Sequence, residues 1–399
     1  MEETSAVNER KSYFQQLDYT LLFLIFLLMC ISLLAIYSAA MAGQYNVEPS
    51  YFVKRQVIWF IIGTVLMIGA MVIDYDMFKN FTIPLYVIGL ILLVVVHFYG
   101  IERNGSQRWI SIAGNEFQPS EFVKIFLVLA LAHLLFLITK DYRERTLKED
   151  FVVVFKVAAV GFPAFFLILI QPDLGTALVI ASIMGTMLLM AGISWKIFAA
   201  LGAIIFSFLA TLVWLHNNFF EFFTDYLVKP HQLRRIYGWL DPESDPGDMG
   251  YQLLNAMQGI GSGKLYGKGF TEGVLSKSGA VPEIHTDFIF TVIGEEFGFL
   301  GATILIVIYF LLFYRMIIIA FSCNNMYGSY LVAGVIGLLV FQIFQNIGMT
   351  IGLMPITGLA LPFVSYGGSA LTTNMIAIGI VLNVNIRTRH YMFGSEELA

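Results

Sequence analysis

The chain has 399 residues, of which 58% are hydrophobic and only 13% charged, with a net charge of −5 from 23 Lys and Arg against 28 Asp and Glu. So few charges exclude a soluble globular protein, in which about 25% of residues are charged, and the acidic balance excludes the basic footprint of a nucleic-acid binder. Cys30 and Cys323 form no CxxC pair and lie in or beside apolar stretches, so neither a disulfide framework nor a thiolate metal site is indicated.

A membrane helix needs about 20 mainly apolar residues to cross about 30 Å of hydrocarbon. Walking from charge to charge predicts an all-α polytopic membrane protein of about ten transmembrane helices, forming one domain over residues 1–399. The spans fall at 19–41, 56–73, 80–101, 119–139, 152–171, 174–192, 196–215, from about Phe288 onward, 327–351 and 361–385. The last two divide an uncharged run from Met316 to Ile386, too long for one helix and broken at Pro355, Gly358 and Pro362. The first span has no short apolar core followed by a small-residue cleavage site, so it is expected to remain in the mature protein. With ten spans both termini share a side, and the positive-inside rule identifies it. Arg10, Lys11, Lys79, Lys140, Arg143, Arg145, Lys148, Lys196, Arg315, Arg387 and Arg389 outnumber Lys54, Arg55, Arg103 and Arg108 on the opposite short loops. Residues 1–16 and 388–399 are therefore expected to be cytoplasmic tails, and 216–287 a large extracellular loop between helices 7 and 8.

An ionisable group at the bilayer centre costs about 2.5–3.5 kcal/mol or more, so each one retained needs an account. Arg108 and Trp109 lie at interface depth upstream of FQPSEFVK (Phe117 to Lys124), where Pro119 and Ser120 mark a helix start; Trp109 alone would be an aromatic-belt residue. Glu121 and Lys124, three apart, share a helix face and can pair, which by itself would account for both. Lys156 can snorkel and His133 can pack without any chemistry. In QPDLGTA (Gln171 to Ala177), Pro172 and Asp173 fit a tight external turn with Asp173 as helix N-cap.

In the long loop, acids cluster in DPESDPGD, and the bases stand apart as Lys229, Arg234 and Arg235 before it and Lys264, Lys268 and Lys277 after it. The intervening Gly250 to Phe270 segment is rich in glycine, so it either forms a flexible loop or brings backbone N–H groups and lysines to phosphate oxygens. Its GSGK is no P-loop, because Gln258 stands at the first glycine position and Leu265 replaces the Ser/Thr. In PEIHTDFIFTVIGEEFGF (Pro282 to Phe299) a polar loop enters an apolar helix at Asp287. A carboxylate there borders low dielectric, which raises its pKa toward the range useful for proton abstraction; an N-cap role would also explain it. Gly294 and Gly298, at i+7 and i+11, are expected on its helix face, with Glu295 and Glu296 deeper and needing Lys or Arg partners.

The blocks FQPSEFVK, QPDLGTA, GYQLLNAMQGIGSGKLYGKG, PEIHTDFIFTVIGEEFGF and NIGMTIGLMPITGLALPFVSYGGSA resemble, in order from about Leu17 to Arg389, the SEDS proteins (shape, elongation, division and sporulation: RodA, FtsW, SpoVE). Within the family, LDYTLLFLIFLLMCISLLAIYSA, GDMGYQL, GKGF and NMIAIGIVLNV look more like RodA, the elongation member. The resemblance implies a peptidoglycan glycosyltransferase of the bacterial plasma membrane. Its substrate would be lipid II, an undecaprenyl-pyrophosphate-linked disaccharide peptide, and its partner a class B penicillin-binding protein acting as transpeptidase. Asp287 matches the family's essential acid, Glu121 and Lys124 its paired charges, and Trp109 its external tryptophan, whereas Lys156 and His133 match nothing.

On this reading Asp287 deprotonates the acceptor 4-hydroxyl, which displaces the donor's pyrophosphate with inversion to give a β-1,4 link. The departing charge would be met by Lys124, Lys264, Lys268, the glycine-rich loop or a divalent cation, Mg or Mn, and no other cofactor is implied. Lys124, fixed on a helix, is the first choice among these. The SYGGS run ending at Ser369 lines the same cavity or serves close helix packing. A flippase for lipid-linked precursors, a division or sporulation polymerase, and a scaffold for the penicillin-binding protein are the rival readings.

Overall fold

The structure, a computed structural model, describes residues 16–41, 48–103, 106–112, 115–139, 145–228, 230–244 and 249–394. Arg10, Lys11, Lys140, Arg143, Lys229 and the second half of the acidic patch lie outside the described residues, as do most of the two tails.

The chain folds as α1 (Tyr19–Ala40), α2 (Pro49–Val72), α3 (Tyr75–Tyr99), a small sheet, α4 (Pro119–Thr139), α5 (Leu147–Ile170), α6 (Leu174–Met190) and α7 (Trp195–Asn218). Beyond α7 come α8 (Phe220–Phe222), α9 (Pro230–Leu240) and α10 (Met249–Ser262), then α11 (Ile289–Ser322), α12 (Met326–Thr350) and α13 (Gly368–Gly394). Among the described residues nine helices are long and apolar enough to cross a membrane. The 17-residue α6 is the tenth apolar helix, about 26 Å long at the α-helical rise. This is a multi-pass all-α membrane protein, and its spans follow the uncharged runs of the sequence.

Helix ends are closed by the residues that sequence logic assigns to them. Asp18 caps α1, accepting from Leu21 N at 3.0 Å, and is also bridged by Arg315. Thr146 and Glu149 form a capping box on α5, and Asp173 caps α6 as expected. Apolar side chains cover the outside of the bundle, with no residue of α7 buried. The amides Gln342, Gln345 and Asn346 of α12 and Asn374 and Asn383 of α13 are turned inward, because lipid offers polar groups no partner.

Five departures from the sequence reading bear on the site. First, α2 begins at Pro49, so Lys54 and Arg55 lie in its first turns rather than in a loop; proline is tolerated there because the first helical N–H has no partner to lose. Second, residues 101–117 contain a three-stranded antiparallel sheet, β1 (Ile101–Arg103), β2 (Ser106–Ile112) and β3 (Asn115–Phe117), with Ile101 paired to Trp109 and Ile110 to Phe117. Third, the segment 216–287 is largely built, with α8 to α10 and a π turn over Phe223–Leu227 inside it. Fourth, α11 starts at Ile289 and its backbone leaves the helix at Gly298, with φ 65° and ψ −162°. Gly294 and Gly298 therefore do not line one face with Asp287, since the acid precedes the helix and Gly298 breaks it. Fifth, α13 begins at Gly368 instead of 361, because Pro362 and left-handed Phe363 (φ 64°) keep the preceding connection irregular.

Candidate active site

Three non-helical pieces meet on one side of the bundle: the β2–β3 sheet, the loop 281–288 ahead of α11, and the connection 351–367 between α12 and α13. Side-chain and backbone hydrogen bonds lock the last two together and to α12. Asn346 of α12, fully buried, donates through Nδ2 to the carbonyls of Asp287 and Leu359, both at 2.7 Å. Tyr366 N donates to His285 O at 3.0 Å, and Ser365 Oγ donates to Thr286 O. The loop turns tightly at Glu283, with φ 51°, whose carbonyl accepts from Thr286 N and Asp287 N at 3.1 Å.

This framework places Asp287 at the edge of a cavity of about 490 Å³. Asp287 is not a cap: the cap position of α11 is Phe288, which makes no side-chain cap bond. Its carboxyl reaches toward Gly358, where an added Cβ would lie 3.1 Å from Asp287 Oδ2 and where φ is +72°. Burial first, and then the neighbouring Glu283 carboxylate, raise the Asp287 pKa to about 6 against the opposing pull of Arg108 and Arg235. Burial also pushes His285 down to about 4, leaving a neutral imidazole.

Arg108 arrives from β2 and is held by Asp173, with Nη1 3.0 Å from Oδ2. The same Asp173 carboxylate accepts from Thr176 N at 3.0 Å and Thr176 Oγ1 at 2.9 Å. Burial alone would raise its pKa, but Arg108 and Thr176 outweigh that and lower it. Arg108 Nε is buried without a hydrogen-bond partner, and the residue lines the cavity. Glu121 faces the same space, while Lys124 lies beneath it with Nζ 2.8 Å from both carboxylate oxygens. Ser369, in the first turn of α13, accepts from Gln118 N at 3.2 Å and so pins that turn to the sheet.

Of the residues singled out from sequence, Asp287, Glu121, Arg108, Trp109 and Ser369 line this cavity, and Lys124, Lys264 and Lys268 do not. Lys124 is 0% exposed and is bonded to both carboxylate oxygens of Glu121. Lys268 pairs with Glu295 at 2.7 Å, and the same carboxylate accepts from Val274 N, Leu275 N and Ser276 N at 2.9, 3.0 and 2.8 Å. The glycine-rich segment is docked on α11, since a Cβ on Gly263 would lie 2.0 Å from Gly294 O. The lysine partner expected for Glu295 is thus present; Glu296 accepts from the Ser38 hydroxyl and has the Lys277 charge in its surroundings.

Cavity residues that sequence reasoning missed include Tyr51, Phe52, Arg55 and Trp59 of α2, while Tyr366 belongs to the SYGGS run expected there and His285 to the loop that carries Asp287. The α2 set recurs with helical spacing, a signal hidden once Arg55 is read as a loop charge. Among the described residues no group of three or more His, Cys, Asp or Glu gathers to hold a metal ion.

A sequence model of the family described as cell cycle protein, FtsW/RodA/SpoVE, matches residues 19–390. The chain is 36% identical over 377 residues to stage V sporulation protein E of Bacillus subtilis, covering 94% of this chain and 98% of that one. It is 34% identical over 369 residues to peptidoglycan glycosyltransferase MrdB of Escherichia coli, covering 92% of this chain and 93% of that one. A chain solved in work on how a peptidoglycan synthase complex coordinates polymerization and crosslinking superposes with a TM-score of 0.74 at 28% identity, over 93% of this chain and 98% of that one.

Proposed function

The chain belongs to the FtsW/RodA/SpoVE family of cell cycle proteins, and we propose that it polymerises lipid II into β-1,4 glycan strands with Asp287 as general base. Its relatives carry the name peptidoglycan glycosyltransferase, and the same activity is assigned here. The observation that carries the reading is the Asp287 carboxyl at the cavity edge, with a pKa raised to about 6. At neutral pH such a group is ionised yet basic enough to accept a proton from a sugar hydroxyl.

In the reaction the acceptor O4–H proton passes to Asp287, the O4–C1 bond forms, and the bond from C1 to the pyrophosphate oxygen breaks with its electron pair. Because pyrophosphate is already a good leaving group, the second carboxyl of a glycoside hydrolase is dispensable. Stabilisation of the departing charge falls to Arg108, which lines the cavity and whose position Asp173 fixes. Lys264, Lys268 and Lys124 do not line the cavity, so that role goes to Arg108 ahead of them. A divalent cation, Mg or Mn, would supply further neutralisation of the pyrophosphate, but among the described residues no carboxylate cluster gathers to hold one, and no step is routed through it.

For the cellular setting we propose cell-wall elongation, a class B penicillin-binding protein as partner and cytoplasmic termini, on the RodA-like pieces and the distribution of Lys and Arg. Depletion giving round cells supports elongation, and filaments would overturn it. The enzymatic reading is tested by giving purified protein lipid II with no other polymerase present. Glycan chains are expected from the wild type and not from Asp287→Asn. Normal polymer from folded Asp287→Asn would overturn the base assignment, and translocated but unchanged lipid II would point to a flippase.

A further inference from the structure

The cavity has an aromatic wall that the proton-transfer step does not use. Phe52 packs tilted against His285 with centroids 4.9 Å apart and edge-to-face against Tyr366 at 5.3 Å, and His285 and Tyr366 lie 5.3 Å from each other at 38°. Phe52 and His285 are 8% and 5% exposed and form the base of the wall, while Tyr366 and Trp59 are half-buried and face the cavity. One side of the Trp59 indole is taken by the backbone of Gly368, where an added Cβ would lie 2.4 Å from Cε2. Arg55, which lies on the same face of α2, is engaged by Tyr51, donating from Nη1 to its hydroxyl at 3.0 Å.

A wall of this kind suits a pyranose ring. The ring presents a face of C–H groups that packs on an aromatic surface and leaves its equatorial hydroxyls free for polar partners. It suits a diphosphate less well, because aromatic faces are electron-rich, the imidazole of His285 is neutral, and Arg55, the cation in this wall, is already engaged by the hydroxyls of Tyr51 and Tyr366. The wall is also continuous with the base. His285 lies two residues before Asp287, and Tyr366 N is bonded to His285 O at 3.0 Å. Arg108 enters separately, from β2.

We infer that Phe52, Trp59, His285 and Tyr366 form the subsite for the acceptor sugar, the ring whose hydroxyl meets Asp287, and that Arg108 marks the separate side that takes the diphosphate. This assignment rests on the polymerase reading for the word acceptor, but the sugar site itself does not.

The test uses full-length purified protein, lipid II as substrate, and two competitors: the carrier-free disaccharide of N-acetylglucosamine and N-acetylmuramic acid, and inorganic diphosphate. Tyr366→Leu is expected to raise the KM for lipid II and to weaken inhibition by the disaccharide, each about tenfold, with kcat within about threefold. Inhibition by inorganic diphosphate should be unchanged, and Tyr366→Phe, which keeps the ring and loses only the hydroxyl's bond with Arg55, should raise KM far less than Tyr366→Leu. Trp59→Leu should reproduce the pattern should Tyr366→Leu fail to fold. A fall in kcat with KM unchanged, or equal effects of Phe and Leu at 366, would overturn the assignment and make Tyr366 a prop for the 283–288 loop. Disaccharide binding to Asp287→Asn, read by tryptophan fluorescence, needs no turnover. If no polymer ever forms but Tyr366→Leu still abolishes this binding, the polymerase reading fails and the sugar site stands; if polymer forms and binding is indifferent to Tyr366, the reverse holds.

Discussion

Asp287 and Glu295 stand eight residues apart at one end of α11, and they meet opposite surroundings. Glu295 is 0% exposed and takes four donors, the Lys268 ammonium and the N–H groups of Val274, Leu275 and Ser276. Asp287 borders the cavity, with Glu283 for a neighbour and a raised pKa. A buried carboxylate with its lone pairs filled is tied into the fold, whereas one that is desolvated but left facing a cavity has capacity to accept a proton. Within the glycine-rich segment Lys268 meets an anion, joined by N–H groups from Val274 to Ser276 beyond it, and that anion is the protein's own Glu295.

The contrast can be broken by exchanging which property each site loses. Asp287→Asn should lower polymerisation about 10³-fold while leaving the unfolding free energy within about 1 kcal/mol, measured by chain assay and denaturant melt. Glu295→Ala should do the reverse, costing about 3–5 kcal/mol of stability because Lys268 and three amides lose their acceptor, with turnover per folded molecule retained. If Glu295→Ala stays stable and loses turnover, the division between the two acids is wrong.

The Glu121–Lys124 pair lies between these extremes, since it is buried like Glu295 yet Glu121 faces the cavity like Asp287. Glu121→Gln and Lys124→Met should each reduce yield of folded protein and activity. Combining Glu121→Lys with Lys124→Glu recovers both only if pairing is the whole role. A smaller effect is expected at Gly358, where alanine would strain a φ of +72° and crowd Asp287 Oδ2; activity should fall about tenfold and stability by about 1 kcal/mol.

The pH profile sharpens the comparison last. Only ionised Asp287 accepts a proton, so kcat/KM should climb with pH through about 6 and then level off. The folded pKa lies above the ordinary carboxylate value, so this group's contribution to stability changes sign relative to a salt-bridged acid: stability falls as pH rises from the ordinary carboxylate range through about 6. Arg108→Met removes a charge that holds the Asp287 pKa down, and the acid limb should move to higher pH.

Much of this was legible in the chain itself. Uncharged apolar runs marked the spans, Pro172 and Asp173 marked the cap of α6, and the passage from polar loop to apolar helix marked Asp287. Less legible was the sheet at 101–117, because strands of three and seven residues carry too short an alternation to stand out. The start of α2 was misjudged because Lys54 and Arg55 look like loop charges, and with it went the aromatic wall.

The sequence by itself determined the solvent, the approximate number of crossings and the position of the acid at a membrane threshold, because hydrophobic runs and helix-end chemistry are local in the chain. Only the tertiary structure decided which cations face the cavity. Arg108 finds Asp173, and Lys268 finds Glu295, across separations in sequence that no periodicity relates. A charge is satisfied by whatever lies within about 4 Å, and that neighbourhood exists only once the helices have packed.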